Sequence, residues 1–255
     1  MKKGINIWSF PQGTIKQSLS LAKDAGFEGV ELALNGEGEL SMQSTEKEIK
    51  EVKKIADDLG LSLYSLSCGL CWDYRLSDDD KAVREKAKDM IKKQLDTAKV
   101  LGADTILVIP GVVNVEFSMP EKKVAYDVVY ERALEGLNEL KGYAEQLKVN
   151  IGLENVWNKF LLSPMEMRDF IDKVGSEYVG SYLDIGNTLY CSYPEDWVRV
   201  LATSNTVEIN IMRSFLKEQY DPDVTYLDRW EAYDRTTHLM LILNAIIILK
   251  LKNMR

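Results

Sequence analysis

Histidine is almost absent from this chain. His238 is the only one in 255 residues, which excludes a histidine-rich, three-metal centre. Cysteine is scarce too: Cys68, Cys71 and Cys191 are too few for a disulfide framework at this length. There is no excess of basic residues. A formal charge of −8 argues against a dedicated nucleic-acid binder, which would present a basic face, although a phosphorylated small molecule needs only one local basic patch. No apolar run is long enough to span a bilayer, since the longest, Leu239 to Leu251, is interrupted by Asn244 and Lys250. The opening Met1 to Trp8 lacks the apolar stretch and cleavage site of a secretory signal, so a cytoplasmic protein without membrane partners is expected. No glycine-rich dinucleotide fingerprint or phosphate-binding P-loop follows any apolar segment. All 16 glycines lie at or before Gly186, so the last 55 residues contain none.

What is present is a repeat. With 45% hydrophobic and 28% charged residues, the chain can fill one large α/β domain, residues 1–255, and coat it with charge. Through residue 200 it cycles through amphipathic helix, glycine stop, short apolar strand and polar loop. Strands are expected at Lys3–Trp8, Gly29–Leu34, Leu61–Ser67 and Thr105–Ile109, and in segments ending at Glu154 and Asp184. Helices are expected over Pro11–Ala25, from the capping box Thr45-Glu-Lys-Glu48 to Gly60, from Ser77 to Gly102 and over Lys122–Leu147. Two more begin at Ser163-Pro-Met-Glu166 and at Pro194. Six strands alternating with six helices, at this unit size, predict a (β/α)8 TIM barrel with a parallel sheet. The tail differs in texture. Thr206–Met212 is a candidate seventh strand, and Leu239–Leu251 suits either an eighth strand or a buried helix.

Two carboxylates stand out. Glu154 closes Val149-Asn-Ile-Gly-Leu-Glu, and Asp184 closes Tyr178-Val-Gly-Ser-Tyr-Leu-Asp. A charge ending a buried strand needs a partner or a metal, and the carboxyl ends of barrel strands are where chemistry sits. The plainer reading is an ion pair with lysine or a cap on the next helix. Asn6, Trp8, Trp72, Asn155, Trp157 and Asn187 also fall at strand ends or in the following loops, where indoles pack against sugars and amides bind hydroxyls, though such residues often serve only packing or turns. Glu31, near the end of the second strand, is a weaker polar candidate. Cys68-Gly-Leu-Cys71 has redox spacing but follows a strand rather than opening a helix, so it reads as structural. His238 reads as a packing or surface residue.

Gly152-Leu-Glu-Asn155 and Leu183-Asp-Ile-Gly-Asn187 resemble the sugar phosphate isomerase/epimerase family of xylose-isomerase-like TIM barrels. Gly4-Ile-Asn-Ile-Trp8, Asp24-Ala-Gly-Phe-Glu-Gly-Val-Glu-Leu32 and Leu101-Gly-Ala-Asp104 fit the same family, and the branch most similar is hexulose-6-phosphate isomerase and L-ribulose(xylulose)-5-phosphate 3-epimerase. The resemblance covers about residues 1–200. It implies a divalent metal (Mn²⁺, Mg²⁺, Co²⁺ or Zn²⁺) held by Glu, Asp, His and Glu from strands five to eight, and a sugar or sugar phosphate as substrate. Glu154 and Asp184 match the first two ligands, with Glu154 also the catalytic base. The family's histidine belongs near 208–210, where this sequence has Glu208-Ile-Asn210, so Glu208 is the further metal candidate. Nothing acidic follows Asp234 to supply the last glutamate.

Three functions follow. The first is a metal-dependent isomerase or 3-epimerase working through an enediolate. The second is a catalytically impaired barrel whose reading frame changes near Leu201 and which serves as a binding module. The third is an apurinic-site endonuclease-like hydrolase. A tail with poor seventh and eighth strands leaves sheet edges uncovered, which predicts poor solubility or a homo-oligomer.

Overall fold

The computed structural model describes residues 3–115, 123–189 and 192–202 in full, and the strands at 208–212 and 246–249 by their backbone. The strands are β1 (Gly4–Asn6), β2 (Gly29–Leu34), β3 (Ser62–Cys68), β4 (Thr105–Val108), β5 (Asn150–Glu154), β6 (Val179–Asp184), β7 (Glu208–Met212) and β8 (Ile246–Leu249). The helices are α1 (Ile15–Asp24), α2 (Glu46–Leu59), α3 (Lys81–Leu101), α4 (Tyr126–Leu147), α5 (Pro164–Val174), the single turn α6 (Ile185–Thr188) and α7 (Pro194–Leu201). The sheet runs β1 to β8 in sequence order, as a (β/α) barrel requires, and β1 to β7 are parallel. The last strand departs from the repeat. β8 pairs with β7 antiparallel, Ile209 opposite Leu249 and Met212 opposite Ile246, and lies beside β1. The rest of Leu239–Leu251, like His238 and Cys191, lies outside the described residues.

Local chemistry explains most element ends. Thr45 accepts from the Glu48 amide while Glu48 bonds back to the Thr45 amide, satisfying two N–H groups that the first turn leaves open. Gly60, Gly102 and Gly175 close α2, α3 and α5 in the left-handed conformation that glycine adopts without penalty. Ile49, Val52 and Ala56 of α2 turn inward, and Ala133, Leu137, Leu140 and Ala144 do the same on α4.

Three expected boundaries move. α3 starts at Lys81, because Asp80 caps the Ala82 amide; Ser77 is buried instead, its hydroxyl tied to both the N–H and the C=O of Val112. α4 starts at Tyr126 rather than near 122, with Ala125 at its N-cap. β1 stops at Asn6, because the Asn6 side-chain oxygen accepts the Trp8 amide and turns Ile7–Ser9 into a 3-10 turn.

One irregularity shapes the interior. Between β2 and β3 the register steps from Val30 opposite Leu63 to Glu31 opposite Ser65, leaving Tyr64 as the extra residue of a bulge. The bulge turns Ser65 toward Glu31. A side chain at Gly29 would collide with the Tyr64 ring, which would stand 2.4 Å from its β-carbon, so glycine there accommodates the bulged aromatic.

Candidate functional site

Glu154 and Asp184 stand at the carboxyl ends of neighbouring strands. Glu154 pairs in register with Tyr182, and Asp184 lies two residues further along β6, on the same face as Tyr182. That face is the barrel interior, since the Tyr182 hydroxyl crosses to Glu31 on β2 at 2.5 Å. Gly152 makes this crossing possible: a β-carbon there would lie 2.8 Å from Tyr182 Cδ2, so the ring occupies the space a side chain would fill.

Burial pushes the Glu154 carboxyl well above its ordinary range, and the negative charges of Asp184 and Glu31 push it further. Asp184 is raised to about 6, again chiefly by burial and against the opposing pull of the Asn187 and Gly186 amides. Among the described residues the Glu154 carboxylate makes no hydrogen bond or ion pair, so none of their lysines pairs with this strand end. Asp184 does cap the turn that follows, accepting the Asn187 amide at 3.0 Å.

Asn155 and Asn187 form a clasp around Asp184. The Asn155 side chain donates to the Asp184 carbonyl and accepts the Asp184 amide, both at 2.8 Å, while Asn187 Nδ2 donates to the Asn155 carbonyl at 2.9 Å. Both amides, expected at a sugar, are thus engaged with backbone and fix the position of the carboxylate. Replacing Asn155 with Asp removes the donor and adds another anion beside Asp184. An expected loss of about 2 kcal/mol or more is measurable as a lower urea midpoint with unchanged slope.

Glu31 is the third carboxylate and the one the sequence underrates. It is fully buried and accepts from Asn6 Nδ2 at 2.5 Å, Ser65 Oγ at 2.6 Å and Tyr182 OH. Burial holds its carboxyl above the ordinary range, against the opposing pull of these three hydrogen bonds. Asn6, expected at the substrate, therefore lies beneath the site, bridging Glu31 to the Trp8 turn. Ser65 and Tyr182 were not expected at all. Tyr182 was within reach of sequence reasoning, since it precedes Asp184 by one strand period.

The indoles are spread around the mouth. Trp8 is half-exposed on the turn after β1, while Trp72 and Trp157 are partly buried in the loops after β3 and β5. Cys68 ends β3 and Cys71 lies in the loop after it, close enough to feel the charge of Glu154. Burial raises both thiols, Cys68 to about 11, so they stay protonated and do not act as redox nucleophiles at neutral pH.

For β7 the register places Glu208 opposite Tyr182 and Asn210 opposite Asp184. Asn210, not Glu208, is therefore level with the second carboxylate. Among the described residues, no three His, Cys, Asp or Glu side chains converge on one point that would hold a metal. No described helix is long and apolar enough to cross a membrane.

Comparison with known proteins agrees with this fold. The profile of the xylose isomerase-like TIM barrel family matches residues 19–224. The chain is 28% identical over 179 residues to a D-psicose 3-epimerase from Agrobacterium fabrum, covering 67% of this chain and 57% of that protein. It is 24% identical over 197 residues to a Haemophilus influenzae protein proposed to be an L-ribulose-5-phosphate 3-epimerase, covering 73% of this chain and 64% of the relative. The chain thus spans less than two thirds of the length of either relative. Among solved structures, D-psicose 3-epimerase from Clostridium cellulolyticum H10 with D-tagatose superposes with a TM-score of 0.71 at 19% identity, covering 93% of this chain and 82% of that one. A D-tagatose 3-epimerase-like protein gives 0.67 at 17% identity, covering 96% and 98%. By its profile match over most of its length, this chain belongs to the xylose isomerase-like TIM barrel family, whose sugar epimerases are among its relatives.

Proposed function

We propose that this barrel is a divalent-metal-dependent sugar isomerase or 3-epimerase that removes a proton from the carbon next to a carbonyl. One observation carries the reading: two carboxylates, side by side at adjacent strand ends, are buried enough to be raised together and lack a cationic partner among the described residues. Such a pair fits a hard divalent cation, which removes the cost of two like charges in one pocket. When bound, such a cation would supply a Lewis acid for the substrate carbonyl. Glu154 and Asp184 would hold it, with Glu208 the further candidate from β7, one strand period before Asn210, which stands level with Asp184. Glu154, already high in proton affinity, also takes the proton. Asn155 and Asn187 keep Asp184 in place, and Trp8, Trp72 and Trp157 offer apolar faces to the sugar. The substrate is a ketose or ketose phosphate, the class to which D-psicose and L-ribulose 5-phosphate of the relatives belong.

A second reading has its own support. Asn210 stands level with Asp184, where the family resemblance implies histidine, and no described triad closes a metal shell. On that reading the barrel binds sugars without turning them over. Incubation with Mn²⁺ and ketopentoses, ketohexoses or their phosphates in D2O separates the two. Deuterium should enter the carbon next to the carbonyl, and Glu154→Gln should slow it at least a thousandfold, about 4 kcal/mol of transition-state stabilisation. Sugar-dependent thermal stabilisation without deuterium uptake would favour the binding module.

A further inference from the structure

The proposed reaction uses Glu154 and Asp184 and leaves Glu31, the third carboxylate described in the barrel interior, without a task. Its three hydrogen-bond donors, Asn6, Ser65 and Tyr182, are all neutral. Among the described residues no lysine or arginine forms an ion pair with it. A buried anion is costly unless an opposite charge balances it. Hydrogen bonding alone does not call for an anion here. A glutamine would accept from Asn6 with its oxygen and donate to the Ser65 and Tyr182 hydroxyls with its nitrogen, keeping all three contacts.

Glu31 is nonetheless not a third ligand, because no three acidic, thiol or imidazole groups among the described residues converge to hold one ion. It is held instead on the hydroxyl of Tyr182, the residue two before Asp184.

Building on the metal-site reading, we infer that Glu31 is a positioning residue whose buried negative charge strengthens cation binding at Glu154 and Asp184 without touching the ion. The cation is its counter-charge, and the bond to Tyr182 fixes the distance at which it acts. In keeping with this, the charge of Glu31 already bears on both site carboxylates.

The test is calorimetric titration of the full chain with Mn²⁺ at pH 7.5, together with melting of the metal-free protein. Glu31→Gln should bind Mn²⁺ about tenfold more weakly than wild type, the usual scale for a group behind a metal site, while its metal-free form melts at a higher temperature. Glu31→Asp, which keeps the charge, should retain affinity within about threefold. A Gln variant that binds as tightly as wild type overturns the inference. So does one that melts lower or fails to fold, which makes Glu31 a structural anchor, and so does an Asp variant as weak as Gln. Absence of Mn²⁺ binding by wild type instead overturns the metal-site reading itself.

Discussion

Raising the pH from about 4 to about 6 should destabilise the metal-free protein through Asp184, and Mn²⁺ should reverse the effect. The Asp184 carboxyl lies near 3.8 in the unfolded chain and about 6 in the fold, raised mainly by burial. Between those values the unfolded chain has released a proton that the folded protein still holds. Stability is therefore highest below the unfolded value and falls as pH rises through the folded one. Two units correspond to about 3 kcal/mol, an order of magnitude for a buried carboxyl. Glu154 is shifted in the same direction and adds to the loss.

A divalent cation prefers the deprotonated pair, so its stabilisation grows through the same window. Exposed carboxylates such as Glu46 and Glu48 are shifted down instead and oppose the trend in acid. The informative quantity is thus the difference between wild type and Glu154→Gln/Asp184→Asn. The double variant should lose both the fall in melting temperature and the Mn²⁺-induced rise. Equal Mn²⁺ shifts in the two proteins would place the metal elsewhere.

Gly152→Ala should cost about 2–3 kcal/mol and loosen the site at the same time. The added methyl would lie 2.8 Å from Tyr182 Cδ2, 3.0 Å from Tyr182 Cβ and 3.3 Å from the Ile106 carbonyl oxygen. The ring, the strand or both must move, and the Tyr182 hydroxyl is drawn away from Glu31. Melting should drop by about 5–10 °C, on the usual conversion for a chain of this size. A control separates strain from the general cost of altering glycine: Gly142→Ala, on α4, where nothing lies within 4 Å, should be neutral or slightly stabilising. If both variants melt together, the interior at Gly152 is roomier than the geometry indicates.

Much of this fold is legible because its signals are local. Thr45 with Glu48, Ser163 with Pro164 and Glu166, and the glycines at 60, 102 and 175 each act over one helical turn, so the order of residues is enough to place them. The strand-end positions of Glu154 and Asp184 follow from the same punctuation. Ser77 misleads because the run Ser77-Asp-Asp-Asp80 offers four capping side chains, and contact with Val112, 35 residues away, decides which one caps.

The sequence by itself therefore determined the alternation of strand and helix, the barrel class and the two carboxylates at its mouth. Tertiary structure alone decided what surrounds them. Glu31 meets Tyr182 across 151 residues, and Asn155 grips Asp184 across 29. Ser65 faces the interior only because a bulge at Tyr64 shifts the strand's alternation by one residue. The antiparallel pairing of β8 is likewise a matter of which edge meets which. Capping and periodicity depend on covalent neighbours. A buried charge depends on whatever the curled sheet brings to it from strands far apart in the chain, and no spacing along the chain encodes that distance.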